Sequence, residues 1–273
     1  MIYPLSFSIP ECKIIDKIPT KSKSLATVIA GDTKTYIFKE EKDYYNDYKI
    51  SIFAHTKQKA GWDCLRHYEI LANGCMPSFE NLKDCPPNTM THFPKEIVIK
   101  NDPADITFLL DYTRKHLTTK AMAQYILNTI QKKPTNILFL SGQISPDYMR
   151  CLTLHGFKEL FGINCHDHPR INHLYTDFPN PKNLYGKGMT YTCLLDPNMR
   201  DSNNDKDIEN DIKNNKYDLI VYGSVHRGMP FFDLINMHYS PSDVVLICGE
   251  DLHDECEFKK YSASGFNVFI REL

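Results

Sequence analysis

Four short apolar runs in the second half of the chain constrain its fold most strongly. They are NILFL at 136–140, DLIVY at 218–222, DVVLIC at 243–248 and FNVFI at 266–270. Each run is short for a buried helix, and segments with helical periodicity, such as 148–161 and 230–238, lie between them. Apolar strands that alternate with helices are typical of a parallel sheet covered on both faces. The pattern therefore predicts an α/β fold.

The first half of the chain repeats this pattern less regularly. Strands or a hairpin are predicted at 25–30 and 34–38, further strands at 49–54 and 75–79, and a possible strand at 96–99. Helices are predicted at 40–47, 63–73, 104–115 and 118–131. The polar, proline-ended segment 131–134 is the best candidate for a boundary. We therefore expect two Rossmann-like halves, 1–133 and 134–273, that face each other across a cleft.

Composition excludes few functions. The chain has 273 residues, of which 42% are hydrophobic and 24% charged, as in ordinary globular proteins. A net charge of −2 gives no general attraction to nucleic acid or anionic membranes, although it permits a local basic patch. The nine cysteines include no CxxC pair, which favours reduced thiols. No apolar stretch approaches the roughly 18 residues that span a bilayer, and signal-peptide features are lacking, so we expect a soluble, cytoplasmic protein.

The segment KAGWDCLRHYEILANGCMPSF, at 59–79, carries the most chemical information. Asp63 is a candidate N-cap, and Arg66, Glu69 and Asn73 share one face of the predicted helix. Helix N-termini attract anions, so a diphosphate could bind there, close to the basic and glycine residues of the preceding loop, Lys57, Lys59 and Gly61. Glu69 could then accept hydrogen bonds from the hydroxyls of a sugar. The alternative interpretation is a surface Arg–Glu pair, with Trp62 as a packing anchor.

Within this segment, RHYEILANGCMPSF resembles the nucleotide-sugar-binding segment of exostosin-like glycosyltransferases, whose pattern is approximately R-x-Y-E/D-x-L-x-x-G-C-I-P-V. The matching residues are Arg66, Tyr68, Glu69, Gly74, Cys75 and Pro77. More broadly, the segment is similar to the GT-B superfamily. The resemblance implies that Glu69 binds the donor ribose and that Arg66, with Lys57 or Lys59, faces the diphosphate, while Gly61, Trp62 and Asp63 belong to the same donor-binding segment.

The resemblance also implies a UDP-sugar donor and a metal-independent reaction. It covers residues 49–80 only, and the donor-like half comes first in this chain, whereas GT-B enzymes usually place it second. The two halves therefore look circularly permuted. The resemblance gives no account of residues 134–273.

Polar loops follow the strands of the second half, and these loops supply candidates for catalysis. Asp147 follows the first apolar run, His226 and Arg227 follow the second, and Glu250 and Asp251 follow the third. An inverting transferase needs a base for the acceptor hydroxyl, and Asp147, Glu250 or Asp251 is the first choice, with His226 next. Arg227 is a further candidate for donor binding. A retaining enzyme needs no such base, and Asp147 could instead only begin a helix.

Two further motifs suggest a metal only weakly. His166, Asp167 and His168 are adjacent, and Asp205-Lys206-Asp207 has the D-x-D form of metal-dependent transferases, but lies in a polar stretch that predicts a solvated loop. We therefore expect no metal. P-loop and classical dinucleotide motifs do not occur.

The sequence predicts a glycosyltransferase that moves a sugar from a nucleotide-sugar to a hydroxyl of a glycan or another acceptor. A catalytically inactive sugar-nucleotide-binding module and a glucosyltransferase acting on a modified nucleic-acid base stay open. A methyltransferase built on residues 134–273 is a weaker alternative, because SGQISPD at 141–147 contains only one glycine.

Overall fold

The larger of two sheets has six parallel strands. The computed structural model describes residues 1–200, 207–253 and 255–273, with only the backbone of Glu255 and Cys256. In this sheet the strand order is β1-β9-β8-β7-β5-β6. The strands are β1 (Ile2–Pro4), β5 (Ile137–Leu140), β6 (Cys165–His168), β7 (Leu219–Tyr222), β8 (Val244–Cys248) and β9 (Asn267–Ile270). The four apolar runs thus form β5, β7, β8 and β9, as predicted.

Burial explains why these runs form strands. Every residue of β5, β7 and β8 is buried. Side chains of a strand alternate between the two faces of a sheet, so complete burial requires that both faces are covered. The helices α6 (Tyr148–Phe161), α7 (Ile208–Lys213), α8 (Phe232–His238) and α9 (Glu255–Ala263) lie between these strands in the chain.

The smaller sheet contains three parallel strands of the first half, in the order β2-β3-β4. They are β2 (Lys23–Leu25), β3 (Ser51–Lys57) and β4 (Met76–Glu80). The helices α1 (Glu41–Ile50) and α2 (Leu65–Ala72) connect them, and α3 (Lys95–Lys100), α4 (Ile106–His116) and α5 (Thr119–Ile130) follow. Gly74, just after α2, has a φ of +62°, which is the left-handed conformation predicted for a residue that ends a helix. Both sheets are consistent with two Rossmann-like halves.

Two predictions about local structure are wrong, and two strands are missing from the prediction. Residues 25–30 and 34–38 form no hairpin, because Asp47 accepts hydrogen bonds from the backbone N–H of Thr27 at 2.6 Å and from its hydroxyl at 2.9 Å, which holds the chain in a loop. Residues 96–99 belong to the helix α3 and not to a strand. The tripeptide of β1 and the polar strand β6 are absent from the prediction, because neither has a recognisable apolar pattern.

Strand β1 comes from the first half but belongs to the sheet of the second. Ile2 pairs with Val268 and Pro4 with Ile270. In addition, one hydrophobic cluster includes buried side chains from both halves, such as Leu71 and Phe269. The boundary predicted near residue 133 lies between α5 and β5, and the two halves share apolar packing across it.

Arg271, which follows β9, joins the two halves through hydrogen bonds. Its side chain is 2% exposed and binds the backbone carbonyls of Gly249, at 2.9 Å, and of Asp63. It also pairs with Asp251 and, at 2.6 Å, with Glu272. Glu272 in turn accepts hydrogen bonds from the backbone N–H groups of Trp62 and Asp63, at 3.0 and 2.9 Å. These contacts fix the loop before α2 against the second half.

Within the described residues, no helix combines the length and the apolar character that crossing a membrane requires.

We expect Arg271→Met to lower the free energy of unfolding by about 3 kcal/mol, because it leaves the buried Glu272 carboxylate without its cation and the Asp63 carbonyl without its donor. Urea denaturation measures this change. As a control, Lys213→Met removes an exposed Lys–Glu pair on α7 and should cost less than about 1 kcal/mol. Equal losses in the two variants would contradict the role given to Arg271.

Candidate functional site

A cavity of about 900 Å³, called here the large cavity, lies at the carboxyl ends of the strands of the larger sheet. Chain segments after β5, β7, β8 and β9 line it from the second half, and the loop before α2 lines it from the first half. Strands β6 and β7 lie on opposite sides of β5, so the chain reverses its direction across the sheet there. Open α/β sheets bind ligands at such reversal points.

The large cavity brings together eight of the twelve residues that the sequence predicts for the site. They are Lys59, Gly61, Asp63, Asp147, His226, Arg227, Glu250 and Asp251. Of the other four, Arg66 and Glu69 line a neighbouring cavity, whereas Lys57 and Trp62 line neither. Trp62 stacks on Phe79 with 6.5 Å between ring centroids, so its ring has the anchoring role of the alternative interpretation.

Asp147 and His226 lie side by side in the large cavity. The Nε2 atom of His226 is 3.3 Å from Oδ2 of Asp147, and Ser224 donates a hydrogen bond to the same oxygen at 2.8 Å. The guanidinium Nε of Arg227 also lies 3.3 Å from this oxygen. Asp147 therefore orients the imidazole of His226, as carboxylates commonly do beside catalytic histidines.

Asp147 is also the N-cap of α6, because its Oδ1 accepts a hydrogen bond from the backbone N–H of Arg150 at 3.0 Å. Burial opposes ionisation of this carboxyl group, but donors on His226, Arg150 and Ser224 outweigh burial and hold its pKa below the usual range. Asp147 therefore stays ionised and is a weak base. These contacts show that Asp147 begins a helix, which is the alternative role predicted from the sequence.

Glu250 and Asp251 follow β8 and also reach the large cavity. Asp251 is already bound to the guanidinium of Arg271, although nearly half of its side chain is exposed. Among the described residues, Glu250 differs from Asp147 and Asp251 in that no cation pairs with it.

The residue that caps the N-terminus of α2 is not the predicted one. Cys64, not Asp63, occupies the N-cap position, and it provides no side-chain hydrogen bond. Asp63 is turned away because its carboxylate accepts hydrogen bonds from the backbone N–H of Phe7, at 2.6 Å, and from the hydroxyl of Tyr68, at 2.8 Å. In the part of the chain that the structure describes, the backbone N–H groups of Cys64 and Leu65 have no acceptor. Both residues line the large cavity.

Gly61 allows the loop before α2 to approach the second half closely. A Cβ atom at this position would lie 2.4 Å from a carboxylate oxygen of Glu272 and 2.8 Å from one of Asp251. Any other residue would therefore displace these carboxylates from their contacts with Arg271 or move the loop itself.

A second cavity, of about 200 Å³ and called here the small cavity, lies beside the charged face of α2. Arg66 and Glu69 line it together with three aromatic side chains of the first half, Tyr36, Phe38 and Tyr44. Tyr44 donates a hydrogen bond to Oε2 of Glu69 at 2.7 Å, and Thr190 donates one to Oε1. Glu69 is only 7% exposed, so the alternative interpretation as a surface Arg–Glu pair is wrong.

Glu69 and Arg66, the charged residues of the small cavity, differ in how completely their polar atoms are hydrogen-bonded. Burial raises the pKa of Glu69, and the hydroxyl groups of Thr190 and Tyr44 only partly oppose this shift. Arg66 contacts Tyr36, with Nη1 3.2 Å from the phenol oxygen and the guanidinium carbon 4.9 Å from the ring centroid. Its Nε atom is buried and has no hydrogen-bond partner among the described residues.

Residues 181–193, called here the strap, complete the small cavity from the second half. Gly186, Lys187 and Met189 line it. Lys187 donates a hydrogen bond to the backbone carbonyl of Phe38, and Thr190 binds Glu69 in spite of a φ of +74°, which is unusual for a β-branched residue. The strap was not predicted from the sequence, although the spacing of Gly186 and Gly188 is a signal of unusual backbone.

Within the described residues, His166, Asp167 and His168 are not arranged as a metal site. Asp167 is buried between Lys158, at 3.1 Å, and Tyr175, whose hydroxyl donates to it at 2.7 Å. In residues 1–200, 207–253 and 255–273, no group of three or more His, Cys, Asp or Glu residues is arranged to hold a metal. Asp205 and Lys206 of the D-x-D motif lie outside the described residues. Asp207 caps α7 through a hydrogen bond from the backbone N–H of Asn210.

Comparison with protein-family models, with curated proteins and with solved structures gave no match to this chain.

We expect Thr190→Val to lower the free energy of unfolding by about 1–3 kcal/mol, because valine keeps the shape of threonine but leaves Oε1 of the buried Glu69 without its donor. Urea denaturation measures the loss. Thr107→Val, on an exposed position of α4, is the matched control and should change stability by less than about 0.5 kcal/mol. A Thr190→Val protein as stable as the control would show that the strap is not anchored at Glu69.

Proposed function

We propose that this protein transfers a sugar from a nucleoside-diphosphate sugar, with UDP as the nucleotide, to an acceptor hydroxyl. The observation that carries the proposal is that Tyr148 lines both cavities. A nucleoside would lie in the small cavity, and the diphosphate and sugar in the large one. Small-molecule sites are commonly concave and apolar, with a few polar groups that fix orientation.

The small cavity suits a nucleoside. Tyr36 and Phe38 provide aromatic surface for a base, and Glu69 provides acceptors for the ribose hydroxyls. Each oxygen of Glu69 already accepts one hydrogen bond, and a carboxylate oxygen can accept a second. The guanidinium of Arg66, whose buried Nε has no hydrogen-bond partner among the described residues, lines the same cavity and can donate to the ligand.

The large cavity suits a diphosphate at its α2 end. The free backbone N–H groups of Cys64 and Leu65 and the dipole of α2 favour negative charge. Lys59 and Arg227 line the same cavity and add positive charge. These groups would stabilise the charge that develops on the departing diphosphate, so the reaction would need no metal ion.

His226 is the base in this proposal, and Asp147 positions it. The acceptor oxygen attacks the anomeric carbon, the bond from that carbon to the diphosphate oxygen breaks, and the acceptor proton passes to the imidazole. UDP leaves with the bonding electron pair, and the imidazole returns its proton to solvent. Asp147 contacts Nε2 of the imidazole at 3.3 Å and keeps the ring in place.

The resemblance of RHYEILANGCMPSF to exostosin-like glycosyltransferases supports the same assignment, because its Arg66 and Glu69 line the small cavity. In this proposal the architecture is GT-B-like with the donor half first. The strap is the contribution of the other half to the nucleoside site.

We expect Glu69→Gln to weaken UDP binding at least about ten-fold, because the neutral amide loses charge-assisted hydrogen bonds to the ribose. Isothermal titration calorimetry of UDP and GDP against both proteins measures the effect. The exposed Glu96→Gln on α3 is the control and should bind as wild type does. No binding to wild type, or unchanged binding to Glu69→Gln, contradicts the proposal.

We expect His226→Gln to slow the release of UDP from a UDP-sugar by about a hundred-fold, because water or another acceptor then lacks its base. The assay uses a panel of UDP-sugars without added acceptor, and titration should show unchanged UDP affinity. His116→Gln, at an exposed position of α4, is the control.

Two outcomes separate the alternatives. A wild-type rate in His226→Gln combined with a large loss in Glu250→Gln or Asp251→Asn would transfer the role of base to that acid. Tight UDP binding by wild type without any UDP release from the whole panel would favour an inactive binding module.

A further inference from the structure

Tyr148 is the side chain at which the two cavities meet. It is the first residue of α6, directly after Asp147, and it borders the small cavity beside Glu69 and the large cavity beside Leu65. A nucleotide that extends from one cavity into the other must pass this side chain. No role was predicted for Tyr148, because the sequence around it does not distinguish it from a residue that only packs.

The ring of Tyr148 is held in place by other aromatic rings. Its centroid is 4.8 Å from that of the buried Tyr191, with the planes at 70°, and 5.7 Å from that of Tyr185. Such edge-to-face and tilted contacts fix the orientation of a ring. The hydroxyl group is therefore held at a defined position in the cavity wall.

The hydroxyl of Tyr148 has no hydrogen-bond partner within the described residues, in contrast to the hydroxyls of Tyr44, Tyr45, Tyr68 and Tyr191. Gly186 of the strap leaves room for it, since a Cβ atom there would lie 2.4 Å from the phenol oxygen. A polar group that is held in place without a protein partner is free to bind a ligand.

The chemistry of this hydroxyl selects the kind of ligand atom. Burial raises the pKa of Tyr148, and the charge of the nearby Glu69 raises it further. The phenol is therefore protonated over the whole physiological range and can donate a hydrogen bond. The matching ligand atom is an acceptor, and a phosphate oxygen is the strongest acceptor in a nucleotide.

We propose that Tyr148 binds the donor by donating a hydrogen bond to the phosphate adjacent to the ribose, at the point where the nucleotide passes from the small to the large cavity. This inference rests on the proposed function, because it requires the ribose at Glu69 and the diphosphate at the N-terminus of α2. It assigns a donor-binding residue to the half that carries His226.

The test compares the affinities of wild type, Tyr148→Phe and Tyr3→Phe for UDP, UMP and uridine by titration calorimetry. Tyr148→Phe removes only the hydroxyl and keeps the ring contacts, so the fold should persist. We expect it to weaken the binding of UDP and UMP on the order of ten-fold and to leave the binding of uridine unchanged. Tyr3→Phe is the matched control, because Tyr3 lies on β1, away from both cavities, and should match wild type for all three ligands.

The outcomes are separable. Equal UDP affinity in wild type and Tyr148→Phe overturns this inference and leaves the proposed function standing. If the affinity for uridine falls as well, the hydroxyl contacts the nucleoside and not the phosphate, and the inference is overturned. If wild type binds neither UDP nor uridine, the proposed function fails together with the inference.

Discussion

The buried guanidinium of Arg271 is the interaction on which the arrangement of the two halves depends. It follows the last strand of the larger sheet, yet its hydrogen bonds reach the loop that precedes α2. A buried cation is tolerated only where its donors are satisfied, and here the Asp63 carbonyl of the first half and one carbonyl and two carboxylates of the second half satisfy them. Because three of these partners, Asp63, Gly249 and Asp251, also line the large cavity, the contacts that stabilise the fold also determine the shape of the candidate site.

The wall of the small cavity also comes from both halves, because the strap of the second half forms part of it. Glu69 belongs to the first half, but the hydroxyl of Thr190 from the second half donates a hydrogen bond to one of its oxygens. The backbone of Thr190 adopts an unfavourable conformation, and such strain persists only where surrounding contacts enforce it. A ligand in the small cavity would therefore contact a wall whose conformation depends on both halves.

Local sequence signals predicted the local structure well. The apolar runs form β5, β7, β8 and β9, and Asp147, His226 and Glu250, which follow three of these strands, line one cavity. What could not be predicted depends on distant partners. Asp63 has the right residue type and position for an N-cap, but the Phe7 amide and the Tyr68 hydroxyl compete for its carboxylate. The position of Tyr148 between the cavities likewise arises from tertiary packing alone.

The pairing of β1 with β9 has a consequence for how the chain reaches this state. Ile2 and Val268 are neighbours in the sheet although almost the whole chain separates them, so their contact closes a very long loop. During synthesis β1 emerges first and must stay unpaired until β9 is made, which delays completion of the sheet. A fragment lacking β1 would present the open edge of β9 to other molecules, and such edges promote aggregation. Strand β1 thus protects the finished sheet as well as extending it.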